Sequence, residues 1–239
     1  MKISVITATL NSYNNIKSLY KSLANQSDKN FDWIIADGGS KDKTIEFLNS
    51  INDINITLSV EKDLGIYDAL NKAIKKSANK YYVVIGSDDI FNKNAINDFR
   101  KHVEDYSVDI LASKWVVDNK VLSPKKNFGW LYGMLGVSSC HSVATLINSN
   151  LHKKYGYYDL DFPICADQLF IKKAIYGGCK VLYPNFISGT FKRGGNSSSN
   201  LKKFLNEQYI IQCKTEKFKF FQIILYILRN IKYFKKLYL

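Results

Sequence analysis

The sequence predicts an α/β protein: a Rossmann-like, doubly wound and mostly parallel sheet with helices on both faces. In the first half of the chain, short apolar runs rich in β-branched residues alternate with helical apolar patterns about every 25 to 30 residues. The run at 81–85 is apolar throughout, which is typical of a strand buried on both faces of a parallel sheet. These two observations predict successive βαβ units.

The second half of the chain has a less regular pattern. The predicted strands are 3–8, 31–36, 54–60, 81–85, 108–117, 121–122, 180–183 and 186–191. The predicted helices are 14–24, 65–78, 149–155 and 166–176, with further helices beginning at 42 and 94. Residues 123–139 are predicted to be a loop.

Length and charge predict one domain with an appendage. The chain has 239 residues, which is long for one domain and short for two. We expect a domain over 1–213, divided into a nucleotide-binding half (1–105) and an acceptor half (106–213), followed by a basic helical extension over 214–239. The net charge is +13, and the extension carries seven Lys or Arg residues against one Glu. This excess predicts an anionic partner.

Several features favour a cytoplasmic location. The N-terminal MKISVITATL is interrupted by polar residues and is predicted to be a first strand rather than a signal peptide. No stretch is apolar for the 18 or so residues that a membrane span needs. The four cysteines are far apart, without a CxxC pair, and are predicted to be free thiols in a reducing compartment.

Carboxylates follow three of the predicted strands. Asp37 ends the second strand, Asp63 follows the third, and Asp88 and Asp89 follow the fourth. The carboxyl ends of parallel strands meet at one edge of a sheet, which is where such folds bind ligands. Carboxylates suit a base edge and a ribose diol, and a cation that they hold suits a pyrophosphate. A single Asp in such a place is usually a turn former, but four predict a nucleotide site.

Two common nucleotide-binding motifs are missing from the sequence. The first predicted strand is followed by TATLNS and not by GxGxxG, which argues against a dinucleotide-binding enzyme. The chain also contains no GxxxxGK[ST], which excludes a P-loop. A pyrophosphate would therefore be neutralised by a metal ion and basic side chains.

Four motifs in this order resemble family 2 glycosyltransferases of the bacterial polysaccharide-biosynthesis branch. They are V-I-T-A-T-L-N at 5–11, D-G-G-S-K-D-K-T at 37–44, E-K-D-L-G-I-Y-D-A-L-N-K-A-I at 61–74 and G-S-D-D at 86–89. The resemblance runs through about the first 200 residues. It implies the GT-A fold and an inverting, metal-dependent transfer of a sugar from a nucleotide donor.

The resemblance implies a donor-nucleotide site in the first half. Thr7 and Thr9 lie where the family seats the uracil and the ribose. Asp37 matches the Asp that hydrogen-bonds the uracil ring, and Asp63 matches a second carboxylate on the nucleotide side. Ser87, beside the last carboxylates, is included in the expected donor site.

The same resemblance implies a Mn²⁺ or Mg²⁺ cofactor. Asp88 matches the metal-binding Asp of the family's D-x-D motif, and Asp89 stands beside it. Gly86 replaces the first Asp of that motif, which leaves one carboxylate fewer for the ribose and the cation. His141 is either a third metal ligand, a phosphate contact or a structural residue.

The acceptor half is expected to hold the general base. The family places an Asp, usually in a Glu-Asp pair, at the start of a helix below the sheet, and Asp167 matches it with Ala166 in the place of Glu. An inverting transfer needs such a base to take the proton of the acceptor hydroxyl. Lys192 and Arg193 either face the leaving diphosphate or form a solvated basic turn.

The expected function is therefore transfer of a hexose or N-acetylhexosamine from a nucleotide donor, UDP being favoured, to a lipid-linked glycan. Such an enzyme would lie peripherally at the inner face of the cytoplasmic membrane, with the helix over 214–239 on anionic lipid. The alternatives are a catalytically inactive membrane-associated protein and a basic nucleic-acid-binding protein. No helix-turn-helix or RNA-binding aromatic signature supports the latter, so we expect no nucleic-acid partner.

Overall fold

The structure is a computed structural model and describes residues 1–125, 127–139, 141–192, 194 and 200–234. Its strands are β1 Ile3–Thr9, β2 Phe31–Asp37, β3 Ile56–Val60, β4 Tyr81–Val84, β5 Ile90–Phe91, β6 Ile110–Ala112, β7 Lys114–Val117, β8 Lys120–Leu122, β9 Thr145–Asn148, β10 Val181–Leu182 and β11 Ile187–Thr190. Its helices are α1 Tyr13–Ala24, α2 Thr44–Asn49, α3 Ile66–Lys76, α4 Ala95–Asp105, α5 Gly129–Tyr132, α6 Leu151–Tyr155, α7 Ala166–Tyr176, α8 Leu201–Thr215 and α9 Lys219–Lys232.

A seven-stranded sheet forms the centre of the molecule. Its strand order is β10-β6-β9-β4-β1-β2-β3. All neighbours are parallel except β9, which runs antiparallel to both β4 and β6. The chain thus leaves β1 in both directions across the sheet, which is the doubly wound arrangement predicted from the alternating pattern.

Successive residues of the central strands face opposite sides of the sheet and enter two apolar clusters. Val5 packs with Leu19 of α1 and Phe99 of α4 on one face. Ile6 packs with Leu70 of α3 and Leu169 of α7 on the other. Both faces of the sheet are therefore covered by helices, as the sequence predicts.

A second sheet has the order β5-β11-β7-β8 and corrects the prediction of one strand over 108–117. The predicted strand is interrupted at Ser113. Before it, β6 joins the central sheet, and after it, β7 joins the second sheet. Ser113 is fully buried, and its amide donates to Ala144 O at 2.9 Å. Apolar residues stand on both sides of Ser113 and Lys114, and this pattern is typical of one continuous strand, so it does not reveal the change of sheet.

Two further elements differ from the prediction. Strand β9, in the middle of the central sheet, was not predicted. The stretch 123–139, expected to be a loop, contains α5 and a 3₁₀ turn at Gly133–Gly136. The region after residue 199, which is expected to be helical and basic, forms two helices, α8 and α9, and the helix expected over 214–239 is observed as α9.

Candidate active site

The carboxyl ends of β1, β2 and β4 meet at one edge of the central sheet. The register pairs Thr9 with Asp37, and Gly38 N donates to Thr9 O at 2.9 Å. Strand β4 runs beside β1 on the other side, and Ile85 N donates to Ile6 O at 2.9 Å. This edge therefore brings together the segments that carry the expected donor residues.

The Asp37 carboxylate organises the loop that follows β2. Its Oδ1 accepts from Gly39 N at 2.9 Å and Ser40 N at 2.6 Å, and its Oδ2 accepts from Ser40 Oγ at 2.6 Å. Asp63 lies next to this loop, because a Cβ on Gly38 would stand only 2.5 Å from Asp63 Oδ2. Glycine at 38 thus lets the two carboxylates of the expected donor site approach each other.

The two threonines of β1 differ in their surroundings. Thr7 is fully buried, and its Oγ1 accepts from Trp33 Nε1 at 3.0 Å. Its side chain therefore stabilises the sheet interior and offers no surface to a ligand, so we remove it from the donor site. Thr9 lies at the strand end, and its buried hydroxyl has no hydrogen-bond partner in the described part of the chain. An unsatisfied hydroxyl at the ligand edge suits a polar ligand group.

Asp88 and Asp89 fold around the missing side chain of Gly86. A Cβ at position 86 would lie 2.8 Å from Asp88 Oδ1 and 3.0 Å from Asp89 Oδ2. Asp89 is 3% exposed, and its Oδ1 accepts from Lys192 N at 3.0 Å. Burial, together with the smaller effect of the Asp88 carboxylate, raises the pKa of Asp89 to about 7, although the hydrogen bond from Lys192 N opposes this rise. The space that an Asp at 86 would occupy is thus filled by the next two carboxylates.

This pair suits a divalent cation only if other ligands complete the site. Among the described residues, no group of three His, Cys, Asp or Glu side chains could hold a metal ion. Asp88, Asp89 and His141 are therefore not gathered into a three-ligand group in the described part of the chain. Two adjacent carboxylates fit Mg²⁺ or Mn²⁺ that takes its remaining ligands from water and substrate phosphates.

Asp167 lies in the first turn of α7, where the helix dipole favours a negative charge. The Tyr67 hydroxyl, from α3, donates to Asp167 Oδ1 at 2.7 Å and lies 2.8 Å from Ile164 O. Burial raises the pKa of Asp167, and the hydrogen bond from Tyr67 opposes this rise. The result is a desolvated carboxylate with one oxygen fixed, which is a suitable arrangement for a general base.

A second carboxylate reaches the same helix end from α8. Glu207 is 5% exposed, and its Oε2 accepts from Ile164 N at 3.0 Å and Cys165 N at 2.9 Å. Its negative charge also raises the pKa of Asp167. Ala166 is fully buried, so the acidic partner of Asp167 comes from Glu207 and not from the preceding position.

One cleft of about 560 Å³ reaches both the Asp88–Asp89 pair and Asp167. Its lining includes Asp88 and Asp89 from the segment after β4, and Asp167 and Gln168 from α7. His141 also lines the cleft, with its ring stacked on Phe191 at a centroid distance of 3.3 Å. The cleft is therefore open to both the expected cation site and the expected base.

Three further residues of the expected donor site are Ser87, Lys192 and Arg193. Ser87 is partly buried, and its Oγ donates to Ser12 Oγ at 3.2 Å, close to the end of β1. The Lys192 side chain is exposed, while its backbone amide holds Asp89. Arg193 lies outside the described residues.

Tyr67 and Glu207 received no role in the sequence analysis. Tyr67 stands in the quoted motif over 61–74, but its helical spacing indicates only a core position. Its partner Asp167 is 100 residues away in sequence, so no local pattern links the two. Glu207 lies in a stretch that was interpreted as helical and basic, and no signal there predicted a buried carboxylate.

Solved structures of other proteins share this fold. The chain is 20% identical to S. aureus TarS 1-349 in complex with UDP-GlcNAc, with a TM-score of 0.74 over 98% of this chain and 73% of that one. The mannosyltransferase PcManGT from Pyrobaculum calidifontis, in complex with GDP-Man and Mn²⁺, is 15% identical, with a TM-score of 0.70 over 95% of this chain and 69% of that one. Both likenesses are of the fold.

Sequence relatives give the family. The chain is 24% identical to a PGL/p-HBAD biosynthesis glycosyltransferase of Mycobacterium bovis, over 84% of this chain and 82% of the relative. An uncharacterised glycosyltransferase of Haemophilus influenzae is 21% identical, over 83% and 68%. The profile of Glycosyl transferase family 2 matches residues 4–175, which include most of the central sheet and Asp88, Asp89 and Asp167. With its GT-A architecture and this match, the chain belongs to glycosyl transferase family 2.

Proposed function

We propose that this protein transfers a sugar, with inversion, from a nucleoside diphosphate donor to a hydroxyl of a lipid-linked glycan. The observation that carries the proposal is the single cleft that reaches both the Asp88–Asp89 pair and Asp167. A nucleotide sugar bound in this cleft would have its diphosphate at the Asp88–Asp89 pair, and the acceptor hydroxyl would lie at Asp167. UDP is the donor nucleotide that we favour, from the motifs over 5–11 and 37–44.

The donor would lie along the edge formed by β1, β2 and β4. Thr9 has a hydroxyl without a partner among the described residues, and Asp63 lies beside the loop organised by Asp37. We assign the base and the ribose to this part of the edge. Ser87 and Lys192 lie towards the diphosphate, next to Asp88 and Asp89.

A Mn²⁺ or Mg²⁺ ion held by Asp88, with Asp89 beside it, would neutralise the charge that develops on the leaving diphosphate. The two carboxylates can approach because position 86 has no side chain. His141, on the wall of the cleft, is assigned a contact with the bound sugar or phosphate, in keeping with its ring stacked on Phe191.

Asp167 would act as the general base. The acceptor oxygen forms a bond to the anomeric carbon while the bond from that carbon to the diphosphate oxygen breaks, and the electron pair leaves with the nucleotide. The acceptor proton passes to Asp167, whose raised pKa makes it a stronger base than an exposed carboxylate. Tyr67 holds Oδ1, so we assign the proton to Oδ2.

We propose that the reaction takes place at the inner face of the cytoplasmic membrane, where a lipid-linked acceptor would be met. In the described part of the chain, Cys165, Cys179 and Cys213 are free thiols, which suits a reducing compartment. The sugar is expected to be a hexose or an N-acetylhexosamine, as in the sequence analysis.

A panel of UDP-sugars with Mn²⁺ tests the proposal, with release of UDP as the readout. We expect one donor to be hydrolysed slowly without acceptor, and the rate to fall when EDTA is added. The Asp88→Asn variant, which keeps the size of the side chain, should lose the Mn²⁺-dependent part of the rate. No release from any donor would favour the inactive protein, and nucleic-acid binding without donor binding would favour the other alternative.

A further inference from the structure

Helix α9 turns three of its polar residues, Gln222, Tyr226 and Arg229, towards the protein. Gln222 is 1% exposed, and its Nε2 donates to Trp130 O at 3.0 Å. Arg229 Nη2 donates to Leu131 O at 2.9 Å, and the Tyr226 hydroxyl donates to Asn206 Oδ1 at 2.5 Å. Positions 222, 226 and 229 are spaced by four and three residues, so they share one face of the helix. The inner face of α9 is thus a line of hydrogen-bonding groups.

The outer face of the same helix is apolar. In α9 the described residues include one buried side chain, that of Gln222, whereas large apolar side chains are 39% to 70% exposed. We call this set the outer face of α9; it comprises Phe220, Phe221, Ile223, Ile224, Ile227, Leu228 and Ile231. This polarity is the reverse of that of a helix packed on a globular protein in water. The helix is therefore arranged for apolar surroundings on its outer side.

The charges around the outer face all have one sign. The sequence contains no Asp or Glu after Glu216. Glu216 itself faces inward and pairs with the buried Lys172 at 2.6 Å. A groove of about 490 Å³ at the turn between α8 and α9 is lined by three lysines, Lys214, Lys217 and Lys219, and by Glu216, whose charge is already paired with Lys172. The rim of the apolar surface is therefore suited to anionic groups.

We propose that the outer face of α9 inserts into the headgroup region of a bilayer that contains anionic phospholipids. The helix lies along the interface, with its aromatic and aliphatic side chains among the acyl chains and the lysines of the groove at the lipid phosphates. Its 14 residues span about 21 Å, less than the roughly 30 Å of a hydrocarbon core. No helix in the described part of the chain is long and apolar enough to cross a membrane.

A second copy of the chain fits this face less well than lipid does. Two outer faces in contact would bring three lysines of one copy, Lys217, Lys219 and Lys232, close to the same three lysines of the other. Their positive charges would repel each other, because α9 has no carboxylate to neutralise them. Anionic headgroups supply the missing negative charge, while the acyl chains cover the apolar side chains.

This surface adjoins the cleft. The cleft lining includes Leu201, Phe204 and Gln208 of α8 and Tyr233, which follows α9. A protein resting on its α9 face would thus have this end of the cleft near the lipid, where a membrane-bound acceptor is presented. That orientation rests on the proposed function, but the membrane contact does not.

Sedimentation with vesicles tests the contact on the full chain, without donor or acceptor. We expect binding to vesicles of phosphatidylglycerol and phosphatidylcholine, and at least tenfold weaker binding to phosphatidylcholine alone. The triple variant Phe220→Gln, Ile227→Gln and Ile231→Gln should lose at least tenfold in affinity and keep its melting temperature, since all three side chains are at least half exposed. A control that replaces exposed apolar side chains elsewhere, Tyr106→Gln with Val121→Gln, should bind as the unmodified protein does.

The lysines supply a second, independent variant. Lys217→Gln with Lys219→Gln should weaken binding to anionic vesicles and reduce its dependence on salt. Equal binding of the triple variant and the unmodified protein would overturn the proposal, as would no binding to anionic vesicles at low salt. A dimer that dissociates in the triple variant, without vesicle binding, would assign the face to a second copy instead. Because no sugar transfer is measured, a failure of the proposed reaction leaves this result unaffected.

Discussion

The Tyr67 hydroxyl donates a 2.7 Å hydrogen bond to Asp167 Oδ1 and so connects the helix after β3 with the helix that carries the proposed base. Tyr67 is almost fully buried, and burial and the neighbouring carboxylate raise its pKa well above the usual value. The phenol therefore remains protonated and acts as a donor at neutral pH. It stabilises the charged form of Asp167, in opposition to burial and to the charge of Glu207.

The Tyr67→Phe variant tests this relationship. Loss of the hydrogen bond removes an interaction that favours the carboxylate, so the pKa of Asp167 rises. A base must be deprotonated to act, and the acidic limb of the pH–rate profile should therefore move to higher pH. Tyr155→Phe is the matched control, since that hydroxyl donates to Gly177 O and should leave the limb in place. An unshifted limb in Tyr67→Phe would show that the bond does not tune the base.

Glu207→Gln should move the same limb in the opposite direction. Its negative charge raises the pKa of Asp167, so removing the charge lowers that pKa and extends activity to lower pH. The effect should be smaller than that of Tyr67→Phe, because the charge acts at a distance and the tyrosine acts by direct contact. The glutamine oxygen can still accept from Ile164 N and Cys165 N, so the fold should survive. A shift towards higher pH would contradict the assignment of the two groups.

Gly86→Ala should damage the cation site. The added Cβ would stand 2.8 Å from Asp88 Oδ1 and 3.0 Å from Asp89 Oδ2, so at least one carboxylate must move. We expect UDP affinity in Mn²⁺ to fall by about tenfold, roughly 1.4 kcal/mol. Calorimetric titration of UDP in the presence of Mn²⁺ and in the presence of EDTA separates the loss of metal-dependent affinity from any change in contacts with the uracil ring. Unchanged affinity in Mn²⁺ would mean that the two carboxylates do not hold the cation.

Glu216→Gln should destabilise the junction of α7 with the C-terminal helices. Lys172 is 1% exposed, and burial lowers its pKa while the Glu216 carboxylate raises it. Removal of that charge leaves a buried ammonium without its counter-ion, which typically costs about 3–5 kcal/mol. Denaturant unfolding measures the loss, with the exposed Glu46→Gln on α2 as a control expected within about 0.5 kcal/mol. A loss as small as that of the control would mean that Lys172 is neutral in the folded protein.

The first half of the fold followed from the sequence because its strands are long enough to show a period. Strands β1 and β2 have seven residues each, and α1 between them has a clear apolar face. In the second half β6 has three residues and β10 has two, which is too short for any pattern to be recognised. The interruption at Ser113 could not be predicted, since apolar residues on both sides of it are typical of one continuous strand, although they belong to two sheets.

The same distinction holds for the site. Asp37, Asp63 and Asp88 could be assigned to one edge of the sheet because parallel strands end at the same edge. The contacts of Asp167 with Tyr67 and Glu207 depend on how helices from distant parts of the chain pack, which no local pattern encodes. Likewise, the composition of the C-terminal region predicted an amphipathic helix, but only the hydrogen bonds of Gln222 and Arg229 show that its polar side faces inward.

The Asp167→Asn variant tests the central claim most directly, through sugar transfer and UDP affinity measured on the same preparation. The substitution keeps the size of the side chain and removes the base. We expect transfer to fall by about two to four orders of magnitude while UDP binds as tightly as before. Transfer at the original rate would contradict the claim that Asp167 takes the acceptor proton in this cleft.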